Sequence, residues 1–284
     1  MKRLLPILIG LLAQTNVLAA EDPFAAVEIK PTQVAGTVYM LEGAGGNVGL
    51  SIGEDGTLIV DDQFAQLGDK ILKAIQALGG NNPRLVLNTH FHGDHTGSNP
   101  QFGRSGTIVA HDNVRVRLLS TDGFPRSGLP VVTYDDDATV HFNNETISLI
   151  HLPSGHTDGD SAVWFKTSNV IHMGDHFFNG RFPFIDVSNG GSIDGYLANV
   201  YRVLNTIPDD IRVIPGHGVL ASKADLQHTM QITAESTARV REKLKNGEST
   251  DAIATELDIA YPGWGSGFIS AARWVGIVQA DANR

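Results

Sequence analysis

The chain has 284 residues, a formal charge of −10 at pH 7, 31 glycines and no cysteine. The acidic balance argues against a nucleic-acid backbone as a partner. The lack of cysteine excludes disulfides, thiolate metal ligands and a cysteine nucleophile. The length is sufficient for a large hydrophobic core, and the composition is typical of a loop-rich globular enzyme.

The first twenty residues have the pattern of a segment that is removed on export. Lys2 and Arg3 precede the apolar run Leu4–Leu12, and Val17–Ala19 supplies small residues near a cleavage point. This pattern predicts a signal peptide over residues 1–20, with an N-terminal anchor helix as the alternative. The run is too short to span a membrane. We therefore expect a periplasmic or secreted protein with no stable membrane anchoring after cleavage, in which residues 21–284 form a single domain.

Strand and helix patterns alternate along the rest of the chain. Glycine turns separate predicted strands over 37–41, 47–52 and 57–61, and helical spacing follows from Ala65 to Leu78. Residues 120–133 have no clear period and predict a loop, which we expect to lie over the site as a flap. The predicted elements fall into two halves, and each half has strands followed by helices. This order predicts a two-sheet core with helices on its outer faces. Further strands are predicted over 84–88, 107–110, 138–142, 146–152, 161–165, 169–173 and 211–214, and further helices over 111–119, 193–204, 222–245, 249–257 and 268–278.

Three imidazoles and a carboxylate lie within six residues after the strand predicted over 84–88. In an extended chain positions i and i+2 share a face, so His90 and His92 can point at one metal ion. Gly93 permits a bend, after which Asp94 and His95 can serve a second ion. Imidazole and carboxylate groups are ordinary zinc ligands. The stretch therefore predicts one metal site and suggests a second.

Three further strand ends carry a metal-ligating side chain beside a glycine. His156 follows the strand predicted over 146–152, Asp175 follows 169–173, and His217 follows 211–214. A single histidine in a loop is common, but four strand ends of the same kind in one chain predict a shared site for two metal ions.

Together these residues resemble the metallo-β-lactamase fold superfamily over residues 34–220. The H-x-H-x-D-H signature is present in full, and the family's later ligands match in order. The resemblance implies an αββα sandwich of two mixed β-sheets flanked by helices. It also implies two Zn²⁺ per chain, bridged by Asp175 and a hydroxide. The first ion would be held by His90, His92 and His156, and the second by Asp94, His95 and His217.

The chemistry that the resemblance implies is attack of the metal-bridging hydroxide on a carbonyl of a small molecule. Asp94 would be the catalytic residue that orients the hydroxide or carries a proton. Asp61 ends a strand, where it is either a carboxylate that holds a ligand imidazole by a hydrogen bond or an ordinary turn residue. Phe178 and Arg181 are candidate substrate-binding residues, and Arg181 is suited to a carboxylate. His176 could also reach the pocket.

Departures from subfamily patterns leave the substrate open. The β-lactamases with a cysteine ligand have it where Asp175 stands, and many have a lysine at the position of Phe178. Related lactonases usually have a tyrosine at the position of Phe178, and glutathione thioesterases have a tyrosine at the position of Val219. Export favours a β-lactam or a lactone over a glutathione thioester, and the leading hypothesis is opening of a cyclic amide, as in β-lactamases. A lactone, ester or thioester hydrolase is the alternative, and an iron-dependent oxidoreductase or a binding protein is less favoured. The sequence does not indicate an oligomeric state.

Overall fold

Residues 22–284 are described by a computed structural model, so the predicted signal peptide over residues 1–20 lies outside the described residues. Within the described part, no helix is both long enough and apolar enough to cross a membrane. Two β-sheets form the centre of the structure, and helices cover their outer faces.

The first sheet has seven strands that lie side by side in chain order. Its first four strands are antiparallel neighbours, whereas the fourth to seventh strands are parallel. The strands are β1 (Lys30–Ala35), β2 (Val38–Glu42), β3 (Val48–Gly53), β4 (Gly56–Val60), β5 (Leu85–Leu87), β6 (Thr107–His111) and β7 (Val132–Tyr134).

The second sheet has six strands, in the order β13-β12-β11-β10-β9-β8. They are β8 (Ala138–Phe142), β9 (Glu145–Leu152), β10 (Asp160–Phe165), β11 (Val170–His172), β12 (Arg212–Ile214) and β13 (Ala221–Ser222). Strands β11 and β12 are parallel, and the other neighbours are antiparallel. Both sheets are therefore mixed.

Three apolar layers hold the sheets and helices together. Side chains such as Met40, Val60 and Val163 fill the space between the two sheets. Ile71 and Ile75 pack on the outer face of the first sheet, and the larger helical layer covers the second. The helices are α1 (Gly68–Ala77), α2 (Gly93–Thr96), α3 (Asn99–Phe102), α4 (Asp112–Ser120), α5 (Ile193–Leu204), α6 (Lys223–Lys245), α7 (Thr250–Ala260) and α8 (Ala271–Ala282). The predicted αββα sandwich is confirmed.

Strand direction brings several strand ends to one edge. Because β9 and β11 are both antiparallel to β10, they run the same way, and β12 runs parallel to β11. Their carboxyl ends therefore share an edge. The backbone N–H of Ser161 donates to the carbonyl of Thr89 at 2.8 Å, and that of Asn47 donates to Gly216 at 2.7 Å. These bonds join this edge to the loops of the first sheet.

The sequence prediction was wrong for several short elements. The segment predicted as a loop over 120–133 contains a 3₁₀ turn at Arg126–Gly128, and its last two residues begin β7. Strands β1 and β13 were not predicted, because they are short or exposed and lie at sheet edges. The helix expected from Ala65 begins as a 3₁₀ turn and becomes α-helical at Gly68.

We expect Ser222→Ala to lower the free energy of unfolding by about 1 kcal/mol. Ser222 accepts from the backbone N–H of Asp225, whose carboxylate in turn accepts from the backbone of Ser222, so the two residues form a capping box at the start of α6. Chemical denaturation measures the change. Ser105→Ala removes an exposed serine outside any cap and should alter stability by less than about 0.5 kcal/mol. Equal effects of the two substitutions would contradict a capping role.

Candidate metal centre

The signature histidines lie where β5 meets a helical turn. The chain remains extended at His92 (φ −61°, ψ 148°), which is the N-cap of α2. The expected change of direction is thus the start of a helix at Gly93 rather than an isolated bend. His90 and His95 are fully buried, whereas Asp94 is partly exposed. The short helix therefore turns Asp94 and His95 away from the direction of the preceding extended residues.

The three later candidates come from the shared edge of the second sheet. His156 lies in the connection after β9, and Asp175 lies in a 3₁₀ turn (Gly174–His176) just beyond β11. His217 follows β12 and forms a single parallel bridge with Phe178. The structure therefore brings all the predicted ligand positions to one place, although they are spread over more than 120 residues of sequence.

Three imidazoles and one carboxylate form the first potential ligand group: His90, His92, His156 and Asp175. Nε2 of His156 lies 2.9 Å from Nδ1 of His92 and 3.4 Å from Oδ2 of Asp175. Nε2 of His90 lies 3.8 Å from the same carboxylate oxygen. Ligand atoms around a tetrahedral zinc ion are roughly 3.3 Å apart, so these separations suit one ion.

A second potential ligand group consists of Asp94, His95 and His217. Oδ2 of Asp94 lies 3.7 Å from Nε2 of His95 and 3.4 Å from Nε2 of His217. The other carboxylate oxygen of Asp175, Oδ1, lies 3.1 Å from His95 Nε2 and 3.3 Å from His217 Nε2. Asp175 therefore directs one oxygen toward each group, which is the geometry of a bridging carboxylate.

Protein acceptors fix two of the rings so that Nε2 faces the site. Nδ1 of His95 donates to Oδ2 of Asp61 at 2.8 Å, and Nδ1 of His90 donates to Oγ1 of Thr89 at 3.0 Å. Asp61 also accepts from the backbone and hydroxyl of Thr89. Its φ of 63° is unusual for a residue other than glycine, so backbone strain accompanies this position. The geometry suits the expected role of Asp61 as the partner that holds a ligand imidazole.

Two further rings, those of His92 and His156, are held by residues beyond β11. His156 donates from Nδ1 to the carbonyl of Phe184 at 2.6 Å. His92 donates from Nε2 to Oδ2 of Asp186 at 3.0 Å, which leaves Nδ1 of His92 facing the site. Sequence reasoning missed Asp186, because it lies in an irregular segment with no strand end or histidine beside it. Metal-ligating histidines commonly have such a carboxylate partner.

Unpaired buried atoms indicate that these residues suit a cation. Among the described buried side chains, Nε2 of His90, Nε2 of His95 and Oδ1 of Asp175 have no hydrogen-bond partner. When the His95 ring is neutral, Nδ1 carries the proton donated to Asp61, and the Nε2 lone pair then faces the acceptor oxygen of Asp175. Two buried acceptors in contact are unfavourable, and a metal ion between them removes that cost. The site therefore fits metal binding.

The pKa shifts agree with this fit. Burial lowers the pKa of His156 to about 3 and holds that of His90 well below its usual value, so both rings are neutral and able to ligate. Burial opposes ionisation of Asp175, but His217 and the other imidazoles outweigh it and lower its pKa. Burial likewise opposes protonation of His95, yet the surrounding carboxylates raise its pKa well above the usual value. The carboxylates around His95 therefore favour a positive charge at Nε2, which either a second proton or a bound cation supplies.

One loop of the first sheet clamps the edge of the second. The side-chain amide of Asn47 donates to the carbonyls of Pro215 and Gly218 at 2.9 and 2.8 Å, on either side of His217. Gly46 lies so close to His95 that an added Cβ would be 2.1 Å from the ring. A glycine is therefore required at position 46. Sequence reasoning missed Asn47 because its partners are about 170 residues away.

A cavity of about 490 Å³ opens beside the metal-ligating residues. Phe178 stacks against His217 with ring centroids 5.0 Å apart, and Phe184 lies 5.7 Å from the rings of both His92 and His156. Phe178 and Arg181 thus line the cavity, where the sequence placed substrate-binding residues. The described residues that line it are Gly45, Phe64, His92, Gly93, Asp94, Asp175, Phe178, Arg181, Phe182, Phe184, His217, Phe268 and Ile269.

One residue and one segment considered for the pocket lie elsewhere. His176 is buried behind the site, where its ring stacks on Tyr196 at 5.1 Å and faces the amide of Asn199. An added Cβ at Gly155 would meet this ring, so His176 packs under the turn that carries His156. The lining residues also include none from the segment 120–133, so the described structure does not show a flap over this cavity.

The chain belongs to the metallo-beta-lactamase superfamily. The family model for this superfamily matches residues 41–217, which contain every predicted metal ligand. Because the superfamily consists of metallohydrolases, membership supports a hydrolase with a small-molecule substrate and with His/Asp clusters for metal.

Individual relatives include enzymes with different substrates. The chain is 23% identical over 252 residues to a metallo-beta-lactamase type 2 of Bacteroides fragilis, a match that covers 82% of this chain and 98% of the relative. It is 26% identical over 204 residues to a hydroxyacylglutathione hydrolase of Methylococcus capsulatus, with 69% and 70% covered. A metallo-beta-lactamase structure from Pontibacter korlensis shares the fold, with a TM-score of 0.64, 15% identity, and coverage of 73% and 99%.

We expect Asp186→Ala to weaken zinc binding by about 10- to 100-fold, because the ring of His92 loses the acceptor that orients its Nδ1 toward the site. Competition with a chromophoric chelator measures the affinity. Asp209→Ala is the matched control, since Asp209 is an exposed acid that pairs with Lys223 at the surface. Unchanged affinity in the Asp186 variant would show that packing alone orients His92.

Proposed function

We propose that this protein is an exported dinuclear zinc hydrolase that opens a cyclic amide, in the manner of a β-lactamase. The observation that carries the proposal of a dinuclear hydrolase is the bridging geometry of Asp175, whose two oxygens face two separate imidazole groups beside an apolar cavity. The match to the Bacteroides fragilis metallo-beta-lactamase over nearly its whole length supports the choice of an amide. The leader-like pattern of residues 1–20 supports export.

The candidate ligand residues fit a two-ion arrangement. Zinc bound there supplies Lewis-acid chemistry, because it polarises a carbonyl and lowers the pKa of a coordinated water. The chain's own contribution is orientation, since Asp61 and Asp186 hold the rings of His95 and His92 in fixed tautomers. The first ion would be held by His90, His92 and His156, the second by Asp94, His95 and His217, and Asp175 would bridge them.

Asp94 is the residue best placed to move a proton. It lines the cavity and is 23% exposed, whereas Asp175 is buried. When water attacks the carbonyl carbon, a carboxylate oxygen of Asp94 accepts the proton that the water loses. The same proton then passes to the ring nitrogen as the amide C–N bond breaks, so the product is an amino acid with no net change in protons. Phe178 and Phe184 cover the imidazoles and limit the access of bulk water.

A lactone, ester or thioester hydrolase is the second candidate. The seven-residue set with a bridging Asp175 favours it, as does the similarity to the Methylococcus capsulatus hydroxyacylglutathione hydrolase. Attack on a lactone uses the same groups, except that the leaving oxygen requires less help from a proton than an amide nitrogen. Asp94 is therefore expected to matter more for a lactam than for a lactone.

We expect the zinc-loaded protein to hydrolyse a lactam faster than a lactone, thioester or phosphodiester in a parallel assay. His92→Ala should lower kcat/KM by at least about 100-fold, because it removes a candidate metal ligand whose ring Asp186 orients. His141→Ala replaces an exposed histidine on β8 and should leave the rate unchanged.

Two results of this assay and one metal analysis would overturn parts of the proposal. Lactone turnover without lactam turnover would exclude the first candidate and support the second. Full activity of the His92 variant would exclude the metal mechanism. Iron instead of zinc in protein purified from its native source would favour the oxidoreductase alternative.

Arg181→Ala should raise KM about tenfold for a substrate that carries a free carboxylate and leave kcat little changed. Arg181 lines the cavity and forms no ion pair with a carboxylate of the described residues, so its guanidinium is available for a charge-assisted contact of about 1.5 kcal/mol or more. Steady-state kinetics with the free acid and its methyl ester tests this. Arg126→Ala changes an exposed arginine and serves as the control. An equal rise of KM for acid and ester would contradict carboxylate binding.

A further inference from the structure

The outer wall of the cavity comes from a part of the chain that the family model does not include. The match ends at residue 217, but Phe268 and Ile269, in the connection between α7 and α8, line the cavity. The segment 264–270 approaches the opposite wall closely, because an added Cβ at Gly267 would lie 3.1 Å from Cδ of Arg181. The C-terminal region therefore completes a cavity whose metal-ligating side is formed by the superfamily core.

Phe268 continues a row of aromatic rings that begins at the imidazoles. Phe184 lies against His92 and His156, and the ring of Phe268 meets Phe184 edge to face with centroids 6.2 Å apart. Phe268 is nevertheless 68% exposed, whereas Ile269 beside it is buried. When a ligand covers an apolar ring that is open to water at the mouth of an apolar cavity, the burial of that ring favours binding.

The position of Phe268 is held from its outer side. The guanidinium carbon of Arg273 lies 4.1 Å from the ring centroid, and the same side chain donates to the carbonyl of Phe268 at 3.0 Å. A cation–π contact and a hydrogen bond from one residue restrict both the ring and its backbone. The exposed ring is therefore preorganised, which lowers the entropy lost when a ligand packs against it.

We propose that Phe268, positioned by Arg273, selects substrates that carry an aryl or bulky apolar substituent next to the scissile carbonyl. The inference deepens the proposed function, on which it rests for the reacting group. The substituent lies between Phe184 and Phe268 while the carbonyl faces the metal-ligating residues. Arg273 is a positioning residue in this arrangement, and Phe268 is a specificity-determining residue.

Binding of two inert probes tests the proposal without requiring any hydrolysis. N-phenylacetylglycine and N-acetylglycine differ only in the aryl group, and calorimetry or NMR titration of the zinc-loaded protein gives both dissociation constants. We expect the phenylacetyl probe to bind about tenfold more tightly, the gain expected from covering part of one aromatic ring. Phe268→Ala should remove this preference, Phe268→Leu should retain part of it, and Arg273→Ala should reduce it. Ile259→Ala, which alters an exposed side chain of α7, should leave the preference intact.

A preference that survives Phe268→Ala would overturn the proposal, as would an equal loss of affinity for both probes. Phe268 is exposed, so the variant is expected to fold, and its melting temperature should match that of the parent. Hydrolysis is measured separately on N-phenylacetyl and N-acetyl forms of one amino-lactam and one amino-lactone. Absence of turnover with a retained probe preference would reject the proposed function and keep the role of Phe268.

Discussion

The carboxylate of Asp175 is the group on which the arrangement of the site depends. It is buried, and its two oxygens face imidazoles from both sheets at 3.1–3.8 Å. So many polar atoms are tolerated in the interior only where charge is balanced and ring nitrogens are oriented. Two glycines allow the necessary approach: an added Cβ would be 2.2 Å from Oδ1 of Asp175 at Gly216 and 2.7 Å from Thr89 at Gly174.

The sandwich brings these groups together because the carboxyl ends of parallel strands meet at an edge. Each ligand-bearing segment leaves the core where a strand ends, so the core packing that fixes the strands also fixes the site. Hydrogen bonds across the edge, from Asn47 to the loop of His217 and from Ser161 to Thr89, couple the two sheets there. The rigidity of the ligand set is thus a property of the β-structure rather than of the loops alone.

The sandwich fold and the positions of the candidate ligands could be predicted from the sequence because their signals are local. Apolar strands can be predicted from their composition. Four of these strands are each followed by a candidate ligand, namely His90, His156, Asp175 or His217. The partners that orient these ligands have no local signal. Asp186 reaches His92 across 94 residues, and only the folded chain brings them together. The edge strands β1, β7 and β13 were missed because a short, exposed strand lacks the apolar alternation on which prediction relies.

The cavity has two walls of different origin, since the core segment up to residue 217 carries the ligands and segment 264–270 carries Phe268. The second wall contacts the first through side chains and through a hydrogen bond from the backbone N–H of Phe182 to the carbonyl of Trp264, and it contributes none of the candidate ligands. The candidate ligands and the wall that carries Phe268, the residue that we propose selects the substituent, are therefore encoded in separable stretches of sequence. Substitutions or changes of length near residue 268 can alter which molecules enter while the reacting centre stays intact. A lineage with this architecture can acquire new substrates in steps that do not pass through an inactive protein.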